Sequence, residues 1–189
     1  GTFYTVKLVG GAEPLDVSEQ ESVDAAIKTA LDDINAKMST YRADSELSRF
    51  NQFHKTEPFE VSKETLEVFM LARTVSEQTD GTFDVTVGPL VNAWGFGPDK
   101  PPTQLLTEEE IADLRKRVGY RLLEIDEVAS TVRKLNPDVY CDFSAIAKGY
   151  AVDVCYEKLL SLGAKNFLVD IGGNIRCAGE PTPGQPWTI

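Results

Sequence analysis

The spacing of apolar residues along the first forty positions predicts a strand followed by a long helix. Residues 2–9 alternate between apolar and polar side chains, as a half-buried strand does. Ser18 and Glu21 are spaced as a capping-box pair that would begin the helix. The apolar positions of this helix recur every three or four residues and are Val23, Ile27, Leu31, Ile34 and Met38. They predict one buried helix face.

The middle of the chain predicts further helices separated by loops. Asp44 is a candidate N-cap for a single short helical turn within residues 39–52. A longer helix should begin at Ser62 and end at Asp80-Gly81, where glycine can take the left-handed conformation that ends a helix. Residues 81–102 are rich in glycine, proline and aromatic side chains. We therefore expect a long irregular connection there, of the kind that often carries function.

The remaining sequence adds two helices and several short strands. Thr107 and Glu110 have the spacing of a capping box for one helix, and another is expected from near Ser144 to Gly163. The predicted strands are 121–126, 130–135, 138–143, 166–171 and 175–179. The last two, joined by the turn Gly172-Gly173-Asn174, are predicted to form a hairpin. Helices and strands follow one another without a regular strand–helix–strand rhythm, so the predicted fold class is α+β with a mainly antiparallel sheet.

Composition and charge narrow the classes of function. Of the 189 residues, 42% are hydrophobic and 26% are charged, as in a globular protein rather than a disordered one. The 30 acidic residues outnumber the 19 basic ones, and the net charge of -11 argues against non-specific binding to nucleic acid or anionic lipid. No stretch is apolar for long enough to span a membrane, and no signal peptide is visible.

Histidine and cysteine are too scarce for several common kinds of catalytic site. His54 is the single histidine, so a nucleophilic triad or a histidine-rich zinc site would have to include it. Its polar surroundings, NQFHKTEP, favour a solvated loop over either role. The cysteines Cys141, Cys155 and Cys177 are odd in number and widely spaced. We expect buried free thiols rather than a disulfide framework or a metal site.

The segment DFSAIAKGYAVD, residues 142–153, has features of a phosphate-binding site. Asp142 precedes the predicted helix start at Ser144, whose first-turn amides carry partial positive charge and attract anions. Lys148 lies on the first exposed turn, and the small residues around it would let a ligand approach the backbone. An ordinary capped helix with a solvated lysine explains the same residues, so the pattern alone leaves both interpretations open.

Two further clusters contain side chains that a reaction could use. Asp80 and Asp84 flank a Gly-Thr-Phe turn. Such carboxylates can serve acid–base catalysis or bind Mg²⁺, but they are also common as turn residues and caps. Tyr41, beside Arg42, would be able to stack on a base or an isoalloxazine ring if it is exposed. The alternative for Tyr41 is a partly buried tyrosine with a packing role.

Taken in chain order, the longer motifs resemble those of the ApbE family. The matching stretches are GTFY, MSTYRADSELSRFN, TDGTFDVTVGPLVNAWGFGP, DFSAIAKGYAVD and VDIGGN. The resemblance covers essentially the whole chain and implies an ApbE-like, T-fold-like architecture. It also implies that the family's C-terminal part, with a histidine motif and further metal ligands, lies outside residues 1–189. We therefore expect residues 1–189 alone to be inactive and to bind FAD weakly or not at all.

The resemblance implies a reaction, because members of this family are FAD:protein FMN transferases. They bind FAD and Mg²⁺, transfer the FMN moiety to a threonine or serine hydroxyl of a target protein through a phosphoester bond, and release AMP. Expected targets are subunits of sodium-pumping and Rnf-type respiratory complexes. The alternatives are a lipoprotein that only binds or scavenges FAD and a pyrophosphatase that splits FAD into FMN and AMP. The resemblance also implies a periplasmic lipoprotein anchored in the inner membrane by a lipid on a cysteine outside this chain.

The expected site residues are those that coincide with the family motifs. The positions that the resemblance assigns to FAD binding are Tyr41, Thr82, Phe83, Asp84, Asp142 and Lys148. Ala145 falls at a metal position, where its backbone carbonyl would be the ligand. Gly172 and Gly173 are expected near the pocket. No catalytic residue is assigned within the chain.

Overall fold

The computed structural model describes residues 2–9, 16–98 and 104–189, and these form two compact units. The first unit draws on Gly1–Ile34 and Ala147–Ile189, and the second is Asn35–Ile146. Each unit carries its own three-stranded antiparallel sheet together with helices. The predicted α+β class with mainly antiparallel sheet is confirmed.

The helices and strands have the following bounds. The strands are β1 Tyr4–Leu8, β2 Phe59–Glu60, β3 Leu123–Asp126, β4 Thr131–Lys134, β5 Phe167–Ile171 and β6 Asn174–Ala178. The helices are α1 Val17–Met38, α2 Glu46–Gln52, α3 Lys63–Gln78, α4 Gly88–Ala93, α5 Glu108–Arg115 and α6 Ala147–Ser161. Two 3₁₀ turns cover Val85–Val87 and Tyr120–Leu122. Among the helices that the structure describes, none is long and apolar enough to cross a membrane.

In the first unit, β5 lies between β1 and β6, and both pairings are antiparallel. β5 and β6 form the predicted hairpin, which turns at Gly172 and Gly173 with φ of +56° and +88°. Positive φ at both central positions is the geometry of a type I′ turn, which glycine adopts without strain at Cβ. α6 packs on this hairpin, and Cys155 and Leu159 are buried.

In the second unit, β4 lies between β2 and β3, and aromatic rings fill the core. The Phe69 ring makes edge-to-face contacts with Phe50, at 5.4 Å between centroids, and with Phe143, at 4.8 Å. Such a pair stabilises a fold by about 0.5–1.5 kcal/mol beyond the burial of its area. Because Phe143 directly follows Asp142, the packing of this ring also restrains the backbone of a predicted site residue.

Several helix predictions are confirmed by burial and capping bonds. Ser62 caps α3, where its Oγ accepts a hydrogen bond from the Thr65 amide at 3.4 Å. Thr107 and Glu110 form a reciprocal capping box at α5. The predicted face of α1 is largely buried, most completely at Ile27.

Two other helix starts are predicted wrongly. α1 is capped by Asp16 rather than Ser18, because Asp16 Oδ1 accepts from the Glu19 amide at 2.8 Å and the Glu19 carboxylate accepts from the Asp16 amide at 3.0 Å. The N-cap of α2 is Ser45 rather than Asp44, and α2 is longer than a single turn. In both cases the cap is a nearby residue with the same capping chemistry. Serine and aspartate are both good N-caps, so the residue types alone do not show which of the two candidates is used.

Residues 138–143 do not form the predicted strand. The Cys141 amide donates to the Asn51 side chain, and the Asp142 amide donates to the Val85 carbonyl at 2.8 Å. The polar groups of this backbone are therefore satisfied by a side chain and by a 3₁₀ turn instead of a neighbouring strand. The buried apolar residues in the segment gave it a strand-like pattern without a strand partner.

Residues 81–102 are less irregular than the sequence predicts. In the part that the structure describes, residues 81–98, the 3₁₀ turn Val85–Val87 leads directly into α4. Asp84 caps the 3₁₀ turn, and Pro89 occupies the first turn of α4, where its missing N–H costs no hydrogen bond. Glycine and proline in this segment thus position short helices rather than exclude them.

Candidate functional site

A hollow of about 660 Å³ in the second unit brings together most of the predicted site residues. It is lined by the turn after α3, the 3₁₀ turn and α4, the segment after α5, and the approach to α6. The predicted residues among its lining are Thr82, Phe83, Asp84, Asp142 and Ala145. Two stretches that lie far apart in sequence therefore meet at one surface.

The turn after α3 presents Thr82 and Phe83 to the hollow. Asp80 and Gly81 both have positive φ, +50° and +78°, and the Gly81 amide donates to the Ser76 carbonyl at 2.8 Å. This bond and the left-handed residues end the helix in the manner of a Schellman motif. The Thr82 side chain is exposed and the Phe83 ring is half-buried, so both are accessible to a ligand.

The Asp84 carboxylate holds two walls of the hollow together. Its Oδ1 accepts from the Thr86 amide at 2.8 Å and from the Thr86 hydroxyl at 2.7 Å. Its Oδ2 accepts from the Tyr120 amide at 2.7 Å, on the segment after α5. The Thr86 hydroxyl also accepts from the Gly119 amide at 2.6 Å. Of the two sequence interpretations, the capping role of Asp84 is confirmed by these bonds.

Asp142 and Ala145 lie where the chain approaches α6. Asp142 is only 6% exposed, and its Oδ1 accepts from the Ser144 amide at 2.7 Å. This bond holds residues 144–146 in a separate turn, closed by the Ile146 amide on the Phe143 carbonyl at 2.9 Å, so α6 begins at Ala147 and not near Ser144. The sequence predicted that the first-turn amides would attract a bound anion, but the Ser144 amide already donates to the Asp142 carboxylate.

Tyr41 is an exposed aromatic side chain at the edge of the hollow. It is 69% exposed, so the alternative of a partly buried tyrosine is wrong. Its hydroxyl donates to the Phe96 carbonyl at 3.3 Å, and Phe96, which lines the hollow, is itself 79% exposed. Two accessible rings therefore lie at one side of a site whose lining also includes the carboxylates of Asp84 and Asp142.

Lys148, Gly172 and Gly173 belong to the first unit, whereas the hollow belongs to the second. Lys148 is an exposed residue in the first turn of α6. A Cβ added at Gly172 would lie 3.3 Å from Lys148 Cδ, so the lysine stem lies against the β5–β6 turn. Their assignment to FAD binding stays a prediction from the family motifs.

Sequence reasoning missed the segment after α5 and the buried polar residues behind the hollow. Gly119 and Tyr120 line the hollow and bond to the Asp84–Thr86 turn, but no motif marks them. Asn51 and Lys134 are buried, and burial lowers the pKa of Lys134 below its usual value of 10.5. A lysine or asparagine in a polar stretch gives no sequence signal of burial, because both are usually exposed.

The structure places the single histidine on the surface and two of the three cysteines in the interior, whereas Cys177 is only half-buried, so the expectation of a buried thiol is wrong for Cys177. His54 is an exposed loop residue whose Nδ1 lies 3.5 Å from Asp138 Oδ1. All three cysteines are free thiols, with Cys141 and Cys155 buried. Within residues 2–9, 16–98 and 104–189, no three histidine, cysteine, aspartate or glutamate side chains cluster closely enough to hold a metal ion.

Comparisons with known proteins agree on the relatives of this chain. The ApbE family model matches residues 1–189. FAD:protein FMN transferases of Haemophilus influenzae and Vibrio cholerae are 44% identical over 194 residues and 43% identical over 189 residues. Each of these alignments covers 100% of this chain and 55% of the relative. The chain therefore spans about half the length of the curated relatives it matches.

Two solved structures, which align with 98–100% of this chain, have the same fold. The flavin transferase ApbE from Vibrio cholerae has a TM-score of 0.93 and 44% identity, covering 100% of this chain and 60% of that one. The apo form of the Pseudomonas stutzeri flavinyl transferase ApbE has a TM-score of 0.88 and 33% identity, covering 98% of this chain and 60% of that one.

Proposed function

Because this chain belongs to the ApbE family, we propose that the protein carrying it is an FAD:protein FMN transferase. The observation that carries the proposal is the hollow, where five residues singled out by the family motifs meet from distant parts of the sequence. Its volume of about 660 Å³ lies within the range of about 300–1,000 Å³ that is usual for small-molecule sites. The names of the relatives support the reaction class.

The proposed reaction is a transfer of one phosphoryl group. The hydroxyl oxygen of a threonine or serine in the target attacks the phosphorus on the FMN side of the FAD pyrophosphate. A new P–O bond joins FMN to the target, and the bond from that phosphorus to the bridging oxygen breaks. AMP leaves with the bridging oxygen, and the hydroxyl proton passes to solvent or to a base. No atom changes its oxidation state, so the reaction does not need a redox-active cysteine. Phosphoryl transfer depends mainly on positioning and electrostatics, so the scarcity of histidine is no obstacle either.

The charge of the hollow supports a requirement for a divalent cation. Asp84 and Asp142 line it, and no lysine or arginine does so among the described residues. A pyrophosphate would be repelled there unless a cation accompanied it. The carbonyl of Ala145 and the carboxylate of Asp142 are hard oxygen donors, and Mg²⁺ in proteins commonly takes one or two carboxylates together with substrate phosphates. This donor set fits Mg²⁺, which when bound would neutralise charge on the phosphates.

The side chains around the hollow have separable roles in this proposal. Tyr41 and Phe96 offer exposed rings for stacking on the flavin, since aromatic faces stabilise planar ligands. Asp84 fixes the spacing of the walls through the Thr86 and Tyr120 bonds. The Ala145 turn and Asp142 would hold the end of the ligand that carries the phosphates. Positioning and electrostatics of this kind are the main contributions that phosphoryl transfer needs from a protein.

The test uses the intact protein that carries this chain, with FAD, Mg²⁺ and an acceptor protein. Chromatography measures AMP, and mass spectrometry of the acceptor measures the increment of one FMN group. We expect both products in equal amounts and neither in the presence of a chelator. AMP without modified acceptor would indicate the FAD pyrophosphatase, and FAD binding without AMP would indicate the scavenging protein. Either result would replace the transferase.

Tyr41 variants test whether the hollow is the flavin site. Tyr41→Phe keeps the ring and removes the hydroxyl that donates to Phe96, whereas Tyr41→Ala removes both. Stacking on an aromatic ring contributes about 1 kcal/mol, so we expect the FAD dissociation constant to rise severalfold for Tyr41→Ala and little for Tyr41→Phe. Quenching of flavin fluorescence measures the constant. An unchanged constant in Tyr41→Ala would remove this residue from the site.

Family membership also supports proposals about acceptor and location. We propose subunits of sodium-pumping or Rnf-type respiratory complexes as acceptors, and an inner-membrane lipoprotein facing the periplasm as the form of the intact protein. Fractionation of cells that express the intact protein tests the second proposal. Recovery in the cytoplasm would contradict it.

A further inference from the structure

A side chain takes the place of a neighbouring strand beside the hollow. Asn51, in the last turn of α2, donates from Nδ2 to the Cys141 carbonyl at 2.8 Å. Its Oδ1 accepts from the Cys141 amide at 2.7 Å. One carboxamide thus makes both of the bonds that a residue on an antiparallel strand would make with Cys141. Asn51 is 4% exposed, so water does not compete for these bonds.

Asn51 is itself held by a buried lysine. Lys134, at the end of β4, is 0% exposed, and its Nζ donates to the Asn51 backbone carbonyl at 3.1 Å. The last carbonyls of a helix lack helical partners and favour a nearby cation. The same ammonium lies 4.8 Å from the centroid of the Phe50 ring. Burying an ammonium is costly unless it has partners, and these two contacts supply them while joining β4 to the helix that carries the Asn51 carboxamide.

The residue after Cys141 is Asp142, which lines the hollow. The Cys141 amide points to Asn51, and the next amide, of Asp142, points to the Val85 carbonyl at 2.8 Å. The two acceptors belong to different elements, because Asn51 lies in α2 and Val85 lies in the 3₁₀ turn. The backbone amides of Cys141 and Asp142 are therefore held by Asn51 and by the 3₁₀ turn, respectively.

We propose that Asn51 is a positioning residue of the flavin-nucleotide site: its carboxamide sets where Asp142 and the turn 144–146 enter the hollow. This inference rests on the proposed function. Asn51 does not line the hollow and acts through the backbone of Cys141. A displacement of about 1 Å at a site of phosphoryl transfer can cost about a hundredfold in rate. Loss of the carboxamide should therefore lower turnover more than its effect on folding explains.

The experiment compares Asn51→Ala with Thr65→Val in the intact protein. Thr65 is also buried in the second unit, where its hydroxyl donates to the Glu46 carboxylate at 2.6 Å, but it does not line the hollow. We expect both variants to lower the urea midpoint and only Asn51→Ala to lower kcat for AMP release, by at least about tenfold. Circular dichroism establishes that both are folded under the assay conditions. Equal kcat in the two variants would overturn the inference.

Asn51→Asp gives a second readout that does not depend on stability alone. A protonated carboxyl has one donor and one acceptor, like the carboxamide, whereas a carboxylate has acceptors only and would face the Cys141 carbonyl. We expect the kcat of this variant, relative to the unsubstituted protein, to rise as pH falls through the pKa of the new carboxyl. A flat ratio would overturn the inference even if Asn51→Ala fails to fold. If the unsubstituted protein releases no AMP, the proposed function is what fails.

Discussion

Replacing Asp84 with asparagine should loosen the hollow and destabilise the unit that contains it. The carboxylate accepts three hydrogen bonds, from the Thr86 amide, the Thr86 hydroxyl and the Tyr120 amide, at 2.8, 2.7 and 2.7 Å. An asparagine has one side-chain oxygen, so it can keep the Thr86 bonds but must turn an NH₂ group towards the Tyr120 amide. Two donors would then face each other, and the segment after α5 would lose its attachment.

The magnitude follows from the bond that is lost. A hydrogen bond to a charged group contributes about 1.5–3 kcal/mol, so we expect Asp84→Asn to lower the free energy of unfolding by about 2 kcal/mol. At a urea dependence of about 2 kcal/mol/M, the urea midpoint of unfolding should therefore fall by about 1 M. FAD affinity should fall as well, because the walls of the hollow would no longer be held at a fixed spacing.

The assay is urea unfolding of the intact protein followed by circular dichroism, with Asp80→Asn as the matched control. Asp80 has φ of +50°, a conformation that asparagine adopts as readily as aspartate. The control should leave the unfolding midpoint nearly unchanged. If Asp84→Asn shifts the midpoint no more than Asp80→Asn does, Asp84 does not hold the two walls together, and the interpretation of its bonds is refuted.

Two further predictions concern the first unit. Burial raises the pKa of Cys155 from 9.0 to about 11. At pH 8 a thiol reagent should therefore modify Cys177 first and Cys155 only in denaturant. Because burial disfavours the Cys155 thiolate, the free energy of unfolding should fall as pH rises from about 9 to about 11. Gly172→Ala should destabilise more than Gly173→Ala in thermal melts, because both have positive φ but only a Cβ at 172 would meet the Thr2 hydroxyl, at 2.5 Å. Rapid modification of native Cys155, or equal melting temperatures for the two alanine variants, would contradict these expectations.

Local sequence predicted the elements whose causes are local. The α5 capping box at Thr107 and Glu110 and the glycine turn between β5 and β6 involve residues close together in the chain. Their geometry depends on side-chain reach and on φ preferences, which the residue types determine. Where a neighbour had the same capability, as with Asp16 and Ser18, the sequence indicated a cap but not its exact residue.

The candidate site was predicted in part, for a different reason. Matching motifs assigned Thr82, Phe83, Asp84, Asp142 and Ala145, and the fold brings all five to one hollow. The motifs do not contain Tyr120, because its contribution to Asp84 is a backbone amide, which any residue type except proline would supply. Nor does the sequence indicate that Asp142 satisfies the Ser144 amide, since a cap and an anion-binding turn use the same residue types.

The sequence by itself determined the fold class, the capping of α3 and α5, the free thiols and the family. These follow from periodicity, from short-range hydrogen-bonding capacity and from ordered motifs. Only the tertiary structure decided that residues 138–143 are not a strand, that Lys134 is buried and that Asn51 pairs with Cys141. Each of these depends on a partner distant in sequence, and a buried polar group is stable only where such a partner satisfies it.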